Sequence, residues 1–286
     1  MRILVTGGSG FLGKHVVERL SKNHKVFSFD NLHYLCGGDP YANRWLGDVL
    51  STADLITAVI GLGITHIAHL AAFGRNLTCQ DHPFEAWDIN VTGTRNVLDV
   101  ARILRVKRVV ACSSNIVLSD KPTVYKATKQ ADECLVSMYA SLGLSCMGIR
   151  PSNIYGKGQS KTEYQPCAFA GMDKGFARDG FFTVTGDGTQ SRDWVHASDV
   201  ARMFELALDS SFSGETLDAC TGRLASINHV ADTLKVPVKY VDKRLGDAQE
   251  LVSDPYPAYN VLGFKSEIAL DSAIEDAFPE VVKSRH

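Results

Sequence analysis

No apolar run in the sequence approaches the roughly 20 residues that a membrane-spanning helix needs. Nor is there a block of like charge. The 30 basic and 32 acidic residues leave a net charge of −2, so the balance calls for neither nucleic acid nor a membrane surface as partner. C-x-x-C pairs are absent and the seven cysteines are odd in number. That argues against a disulfide framework and for reduced, buried thiols in a cytoplasmic protein. The nine histidines show no H-E-x-x-H or comparable ligand spacing, so no metal site is expected. Internal repeats and low-complexity segments are missing too. The start, "MRILVTGG", enters a core strand at once and lacks the shape of a signal peptide. What remains is a chain of 286 residues, 45% hydrophobic and 22% charged, ordinary for one large globular domain or two that share an interface.

The first 150 residues alternate short apolar runs with helical patterns. Strands are expected at 2–6, 25–30, within 65–72, at 107–114 and at 144–151. Helices are expected at 11–22, 50–61, 87–104 and 125–142. Strand and helix in this rhythm predict an α/β fold, a doubly wound parallel sheet with helices on both faces. After Pro151 the rhythm breaks. "SNIYGKGQSKTEYQ" reads as loop, 195–209 and 226–235 as helices, and the rest as short elements interrupted by proline. The expected organisation is a first domain over 1–155 with a return segment near 186–209, and a smaller, mixed, substrate-binding part mainly over 156–286.

"VTGGSGFLGKHV" sets Gly7, Gly10 and Gly13 between the first strand and the first helix. In a dinucleotide site the first such glycine permits the tight turn, the second admits a pyrophosphate, and the third lets helix and strand pack closely. The phosphates then meet free N–H groups at the helix start. The second strand ends at Asp30. A carboxylate there accepts from both hydroxyls of an adenosine ribose and repels a 2′-phosphate, which favours NAD over NADP. Asp48 either binds the adenine amino group or caps the following helix.

Further stretches fit one pattern: "FDNL" at 29–32, "GDV" at 47–49, "HLAAF" at 69–73, "NVTGTRNVLD" at 90–99, "CSS" at 112–114, Y-x-x-x-K at 125–129, "RPSNIYG" at 150–156, "GDGTQSRDWVH" at 186–196 and "RLGDAQELVSDPYPAYNVLGF" at 244–264. In this order and spacing they resemble the extended short-chain dehydrogenase/reductase family, and within it the NAD-dependent nucleotide-sugar epimerases and dehydratases. The resemblance covers essentially the whole chain. It implies a Rossmann-type fold. It extends the cofactor contacts from Gly7, Gly10, Gly13, Asp30 and Asp48 to Phe11, Leu12, Asn31, Val49, Leu70, Ala71, Ala72 and Pro151. Asn90 is expected near the nicotinamide side, holding the active-site helices. Ser114, Tyr125 and Lys129 match the family's catalytic residues, the last two also touching the cofactor. Asn153 and Arg192, with Arg244, match its diphosphate contacts, and Asp247 its contact to the nucleoside ribose; Ser114 would also touch the sugar. Helices 87–104 and 125–142 match the family's pairing surface, which implies a homodimer.

The chemistry follows from these groups. Moving a hydride from a carbinol to NAD needs a base for the hydroxyl proton. A free tyrosine, with a pKa of about 10, is a poor base at neutral pH. A lysine cation one helical turn away favours the phenolate. The family's 4,6-dehydratases carry Asp-Glu directly after the Ser/Thr, whereas Asn115 and Ile116 follow Ser114 here. Isoleucine transfers no proton, so dehydration is disfavoured, and the 4-ketoreductases often use NADPH. The expectation is a 4-epimerase acting on a UDP-hexose through a transient 4-keto sugar, with a 4-ketoreductase, a 4,6-dehydratase or a non-catalytic dinucleotide-binding protein as alternatives. Three departures bear on specificity. Only eleven positions separate Ser114 from Tyr125. "VLS" at 117–119 stands where the family has "VYG". Thr185 stands where the family has an aromatic near the base.

Overall fold

The structure, a computed structural model, describes residues 1–32, 43–159, 168–242 and 250–285. Strand β1 (Arg2–Thr6) is followed by α1 (Phe11–Ser21), β2 (Lys25–Asp30), β3 (Arg44–Leu46), α2 (Thr52–Leu62) and β4 (His66–His69). Short helices α3 (Asn76–Asp81) and α4 (Pro83–Trp87) lead through a π turn at Asp88–Thr92 into α5 (Gly93–Ile103). Then come β5 (Arg108–Cys112), a 3-10 turn at Asn115–Leu118, α6 (Val124–Ser141) and β6 (Cys146–Pro151). The second half contributes β7 (Asn153–Tyr155), α7 (Ala168–Asp179), β8 (Phe182–Thr185), β9 (Ser191–His196), α8 (Ala197–Asp209), β10 (Thr216–Ala219), β11 (Leu224–Ser226), α9 (Ile227–Leu234), β12 (Val238–Val241) and α10 (Tyr256–Leu262).

Among the described residues, seven strands form one sheet in the order β10–β6–β5–β4–β1–β2–β3, every pairing parallel. From β1 the chain winds outward to β3, then reverses to β4. The crevice beyond the C-terminal ends of β1 and β4 is therefore the switch point at which such sheets take ligands. Successive residues of β1 serve opposite faces. Ile3 and Val5 pack with Val16 and Leu20 of α1 and Val200 and Phe204 of α8. Leu4 packs into the other layer with Val97, Leu98 and Val136 from α5 and α6. Covering on both faces is why these strands read as nearly unbroken apolar runs. A third core, with Tyr155, Phe169, Phe182, Trp194 and Phe278, belongs to the C-terminal half, where the Phe169 and Trp194 rings stack at 4.0 Å. No helix of the described residues is long and apolar enough to cross a membrane.

Three expectations are corrected. Asn153–Tyr155 is a strand rather than loop, because it pairs with β9 in parallel register, Asn153 opposite Trp194. The helix expected from 195 begins at Ala197, because Ser191–His196 is held as a strand between β7 and β11. The first helix residue after position 50 is Thr52, since Ser51 is the N-cap and its Oγ accepts from Asp54 N at 3.1 Å. Strand β10, too short and mixed to stand out as "TLDA", closes the sheet beside β6.

Candidate active site

The glycine turn sits at the switch point. Gly7 has φ +68°, and a Cβ there would lie 2.7 Å from Ala71 N at the end of β4. A Cβ on Gly13 would lie 2.0 Å from Gly7 O, so helix and turn can touch only through glycine. Gly10 is the N-cap of α1, with no side-chain cap bond and no acidic residue in the first turn, and Phe11 and Leu12 open the helix behind it. The turn thus offers backbone donors and a positive dipole end to an anion.

Asp30 closes β2 beside this turn. Its Oδ2 accepts from Ser9 N at 3.0 Å and its Oδ1 from Leu32 N at 2.7 Å, which aims the carboxylate across the glycine loop. Asn31 Nδ2 donates to Asp48 Oδ2 at 3.1 Å, and Asp48 Oδ1 accepts from Leu50 N at 2.9 Å. The helix-cap alternative for Asp48 therefore falls to Ser51. Val49 is buried against Gly93, where any Cβ would meet its side chain at 2.8 Å. The amides of Leu70 and Ala71 donate to Thr6 Oγ1 at 3.2 and 3.3 Å, with Ala72 next in the chain. A cradle that only glycine permits, flanked by a hydroxyl-accepting carboxylate, fits a dinucleotide with a free 2′-hydroxyl.

Ser114, Tyr125 and Lys129 come together at the ends of β5 and α6. Thr123 caps α6, its Oγ1 accepting from Lys126 N at 3.2 Å, so Tyr125 stands in the first turn and Lys129 one turn on. Ser114 Oγ accepts from Ile116 N at 3.3 Å, and its hydroxyl stabilises the ionised Tyr125 phenol. The short connection is thus sufficient to bring serine to tyrosine. Burial pushes the Tyr125 phenol above its ordinary pKa, with Lys129 pulling it down and Cys112 pushing it up. The net direction is upward because the phenol is desolvated, while Lys129 pulls it down in the sense that Y-x-x-x-K predicts. Lys129 Nζ donates to Cys112 O and to Asp132 Oδ2, each at 3.0 Å. Burial alone would lower the ammonium; Asp132 beside it, then Tyr125, hold it above the usual lysine value.

Asn90 is fully buried and serves as a clamp. Its Oδ1 accepts from Phe73 N at 2.7 Å, and its Nδ2 donates to Phe73 O at 3.2 Å and Thr128 Oγ1 at 3.0 Å. It ties the segment after β4 to α6. A second tie was not anticipated from the sequence. Glu133, next to Asp132, accepts both Arg150 Nε at 3.0 Å and Nη2 at 2.7 Å, while Arg150 Nη1 reaches Asp218 Oδ1 of β10 at 2.8 Å. The forked guanidinium fixes α6 to the sheet edge.

Also unanticipated is a line of hydrogen bonds behind Lys129. Thr6 Oγ1 accepts from two amides, so it donates to His69 Nδ1 at 2.7 Å. That leaves the ring proton on Nε2, which donates to Thr94 Oγ1 at 3.0 Å, and the Thr94 hydroxyl in turn favours the charged form of Asp132. His69 is held neutral: burial, then Lys129, pushes it down to about 3. The spacing Lys129-x-x-Asp132 could have signalled the last link, since positions three apart share a helix face.

Pro151, expected to touch the cofactor, ends β6; of the expected substrate contacts, Asn153 and Arg192 lie on the paired strands β7 and β9, two positions out of register with each other. Arg192 Nη1 donates to Ser191 O at 2.8 Å. Arg244 and Asp247 lie outside the described residues. Thr185 ends β8, paired with Val241.

A doubly wound parallel sheet with a glycine cradle, a carboxylate at the end of its second strand and a Ser–Tyr–Lys cluster defines a dinucleotide-dependent enzyme. The family model for NAD dependent epimerases/dehydratases matches residues 3–220, and the chain belongs to that family, whose cofactor is NAD. The chain is similar to the UDP-glucose 4-epimerase of Mycolicibacterium smegmatis, at 30% identity over 96% of each. It is similar also to the UDP-N-acetyl-alpha-D-glucosaminuronate decarboxylase of Bacillus cytotoxicus, at 29% identity over 82% of this chain and 79% of that one. Among solved structures it resembles the UDP-glucose 4-epimerase from Brucella ovis in complex with NAD, with a TM-score of 0.89 at 26% identity over 98% of both chains.

Proposed function

We propose that the protein is an NAD-dependent 4-epimerase of a UDP-hexose. The observation that carries this reading is the Ser114–Tyr125–Lys129 cluster beside the glycine cradle, with no proton-transferring side chain in the two positions after Ser114. Asn115 and Ile116 there lie on the 3-10 turn, and neither can deliver the proton that elimination of water requires. The similarity to UDP-glucose 4-epimerases of nearly equal length supports the nucleotide-sugar class.

Bound NAD would supply the acceptor, and later the donor, for the hydride at the sugar C4. Every other task falls to the chain. Gly7, Gly10 and Gly13, with Phe11 and Leu12, would hold the diphosphate; Asp30, with Asn31, Asp48 and Val49, the adenosine; Leu70, Ala71, Ala72, Asn90 and Pro151 the remainder. Tyr125 Oη takes the proton of the C4 hydroxyl, which Ser114 Oγ orients, and gives it back after the keto sugar has turned. Lys129 supplies the positive charge that makes the phenolate accessible. Asn153, Arg192, Arg244 and Asp247 would hold the nucleoside diphosphate while the sugar rotates.

Purified protein incubated with a panel of UDP-hexoses and followed by NMR should convert each accepted sugar to its 4-epimer until equilibrium, with no net change in cofactor redox state. Stoichiometric oxidation of reduced cofactor without a 4-epimer would instead establish a ketoreductase. Loss of water or carbon dioxide would establish a dehydratase or a decarboxylase.

The same reading places the protein in the cytoplasm, in keeping with the free thiols of Cys79, Cys112, Cys134, Cys146 and Cys220. It also makes the protein a homodimer. Trp87, Ile103, Met138 and Leu142 are exposed at or beside α5 and α6, and pairing those helices with a second copy would cover them. Light scattering at micromolar concentration should give twice the chain mass; the mass of one chain would remove the dimer.

A further inference from the structure

Asp132 is a carboxylate with no assigned task, almost fully buried in the most sensitive place in the site. It lies three residues past Lys129 on α6, with its Oδ2 3.0 Å from Nζ and both side chains 4% exposed. Its Oδ1 receives no hydrogen bond of normal geometry among the described residues, and the Thr94 hydroxyl from α5 helps to hold the charge. Burial pushes the carboxyl up against the pull of Lys129. The pair is nevertheless ionised at neutral pH, because a neutral Asp132 would leave a buried ammonium with no counter-charge.

The other titratable groups around Lys129 and Tyr125 do not compete for this role. Cys112 of β5 is pushed up to about 11 and Cys79 of α3 is raised by burial, so both are neutral thiols. His69 of β4 is neutral, and Glu133 of α6 is bound by Arg150. Asp132 is thus the anion paired with Lys129 among the described residues. An ammonium one turn from a phenol attracts the phenolate as a full charge. With a carboxylate 3.0 Å away the two act as a dipole, whose field weakens faster with distance. The same contact immobilises a flexible four-carbon stem, while Cys112 O fixes the ammonium from the sheet.

We propose that Asp132 is a positioning residue: it fixes the Lys129 ammonium and tempers the positive charge that reaches Tyr125. The proposal rests on the reading that Tyr125 moves the substrate proton. The line Thr6–His69–Thr94–Asp132 extends the arrangement to the end of β1, so the setting of Lys129 is tied to the strand that carries the glycine turn. This chain therefore needs higher pH for full turnover than it would with a lone lysine.

Asp132→Asn, which keeps shape and removes charge, tests the idea. Ultraviolet phenolate titration of the protein as purified, with Tyr125→Phe as the subtraction that isolates Tyr125, should show Tyr125 ionising about 1 pH unit lower in the variant. The acid limb of kcat/KM should move the same way, and Asp132→Glu should restore the parent curve. A titration and a profile that stay in place or move to higher pH would overturn the proposal, even if the variant were less stable, since packing alone would then explain the carboxylate. Should Asp132→Asn not fold, Asp132→Ala removes the same charge from the pair and is expected to shift both curves in the same direction; no shift there overturns the proposal equally. Undiminished turnover by Tyr125→Phe would sink the reading of Tyr125 while leaving the phenolate titration free to judge Asp132.

Discussion

Tyr125→Phe is expected to lower turnover by roughly 10²- to 10⁴-fold, the range for loss of a positioned acid–base group. The substitution removes one oxygen from a ring already packed among Phe73, Cys79 and Ala86, so folding should be little affected. Dinucleotide binding, which would draw chiefly on the glycine turn and Asp30, should change by less than about tenfold. Initial rates by NMR and calorimetric titration of NAD check the two halves separately. Turnover within about threefold of the parent would remove Tyr125 from its role. Proportional loss of both quantities would point instead to damage of the fold.

The second large effect concerns acid stability and His69. In the folded protein this ring is buried, wedged between Thr6 and Thr94, and pushed down to about 3, against 6.5 for a free histidine. The unfolded chain thus takes up the proton first. The stability associated with His69 is complete above about pH 6.5 and is lost progressively as pH falls toward 3. The slope is about 1.4 kcal/mol per pH unit, and the accumulated loss reaches about 4–5 kcal/mol. Other buried groups titrate in the same window: raised carboxyls such as Asp218 act in the opposite sense, and His66, pushed down to about 4, in the same one. The difference between parent and His69→Gln isolates the effect. Denaturant midpoints at a series of pH values should converge as pH falls, the variant losing less than the parent. Parallel curves would show that His69 does not titrate on unfolding.

The local parts of the site were legible in the sequence because their signals are local. Gly7, Gly10 and Gly13 lie within one turn between a strand and a helix, and Tyr125 and Lys129 within one turn of α6. Asp30 was marked by ending an apolar strand. Asn90 could be placed near the cofactor side but not given its work, since its partners Phe73 and Thr128 come from two other segments. The line of polar groups through His69, Thr94 and Asp132 needs β4, α5 and α6 side by side, and no spacing within one segment encodes it. The upward net shift of Tyr125 was hidden for the same reason. The motif supplies the cation, but the burial and the neighbouring anion come from packing. Strand β10 escaped notice because four mixed residues carry little alternation, and its place beside β6 is a long-range choice.

That late strand has a consequence for how the chain can be divided. Asp218, the second acid gripping Arg150, is made after β7, β8 and β9, although the helix it helps to seat lies in the first half. A polypeptide stopped near residue 155 would leave β6 as an open, apolar edge ready to pair with a stranger, and Arg150 with one acid in place of two. The Ser114–Tyr125–Lys129 cluster and the later half are therefore expected to mature together, and a cut between them is expected to leave the first piece without its sheet edge.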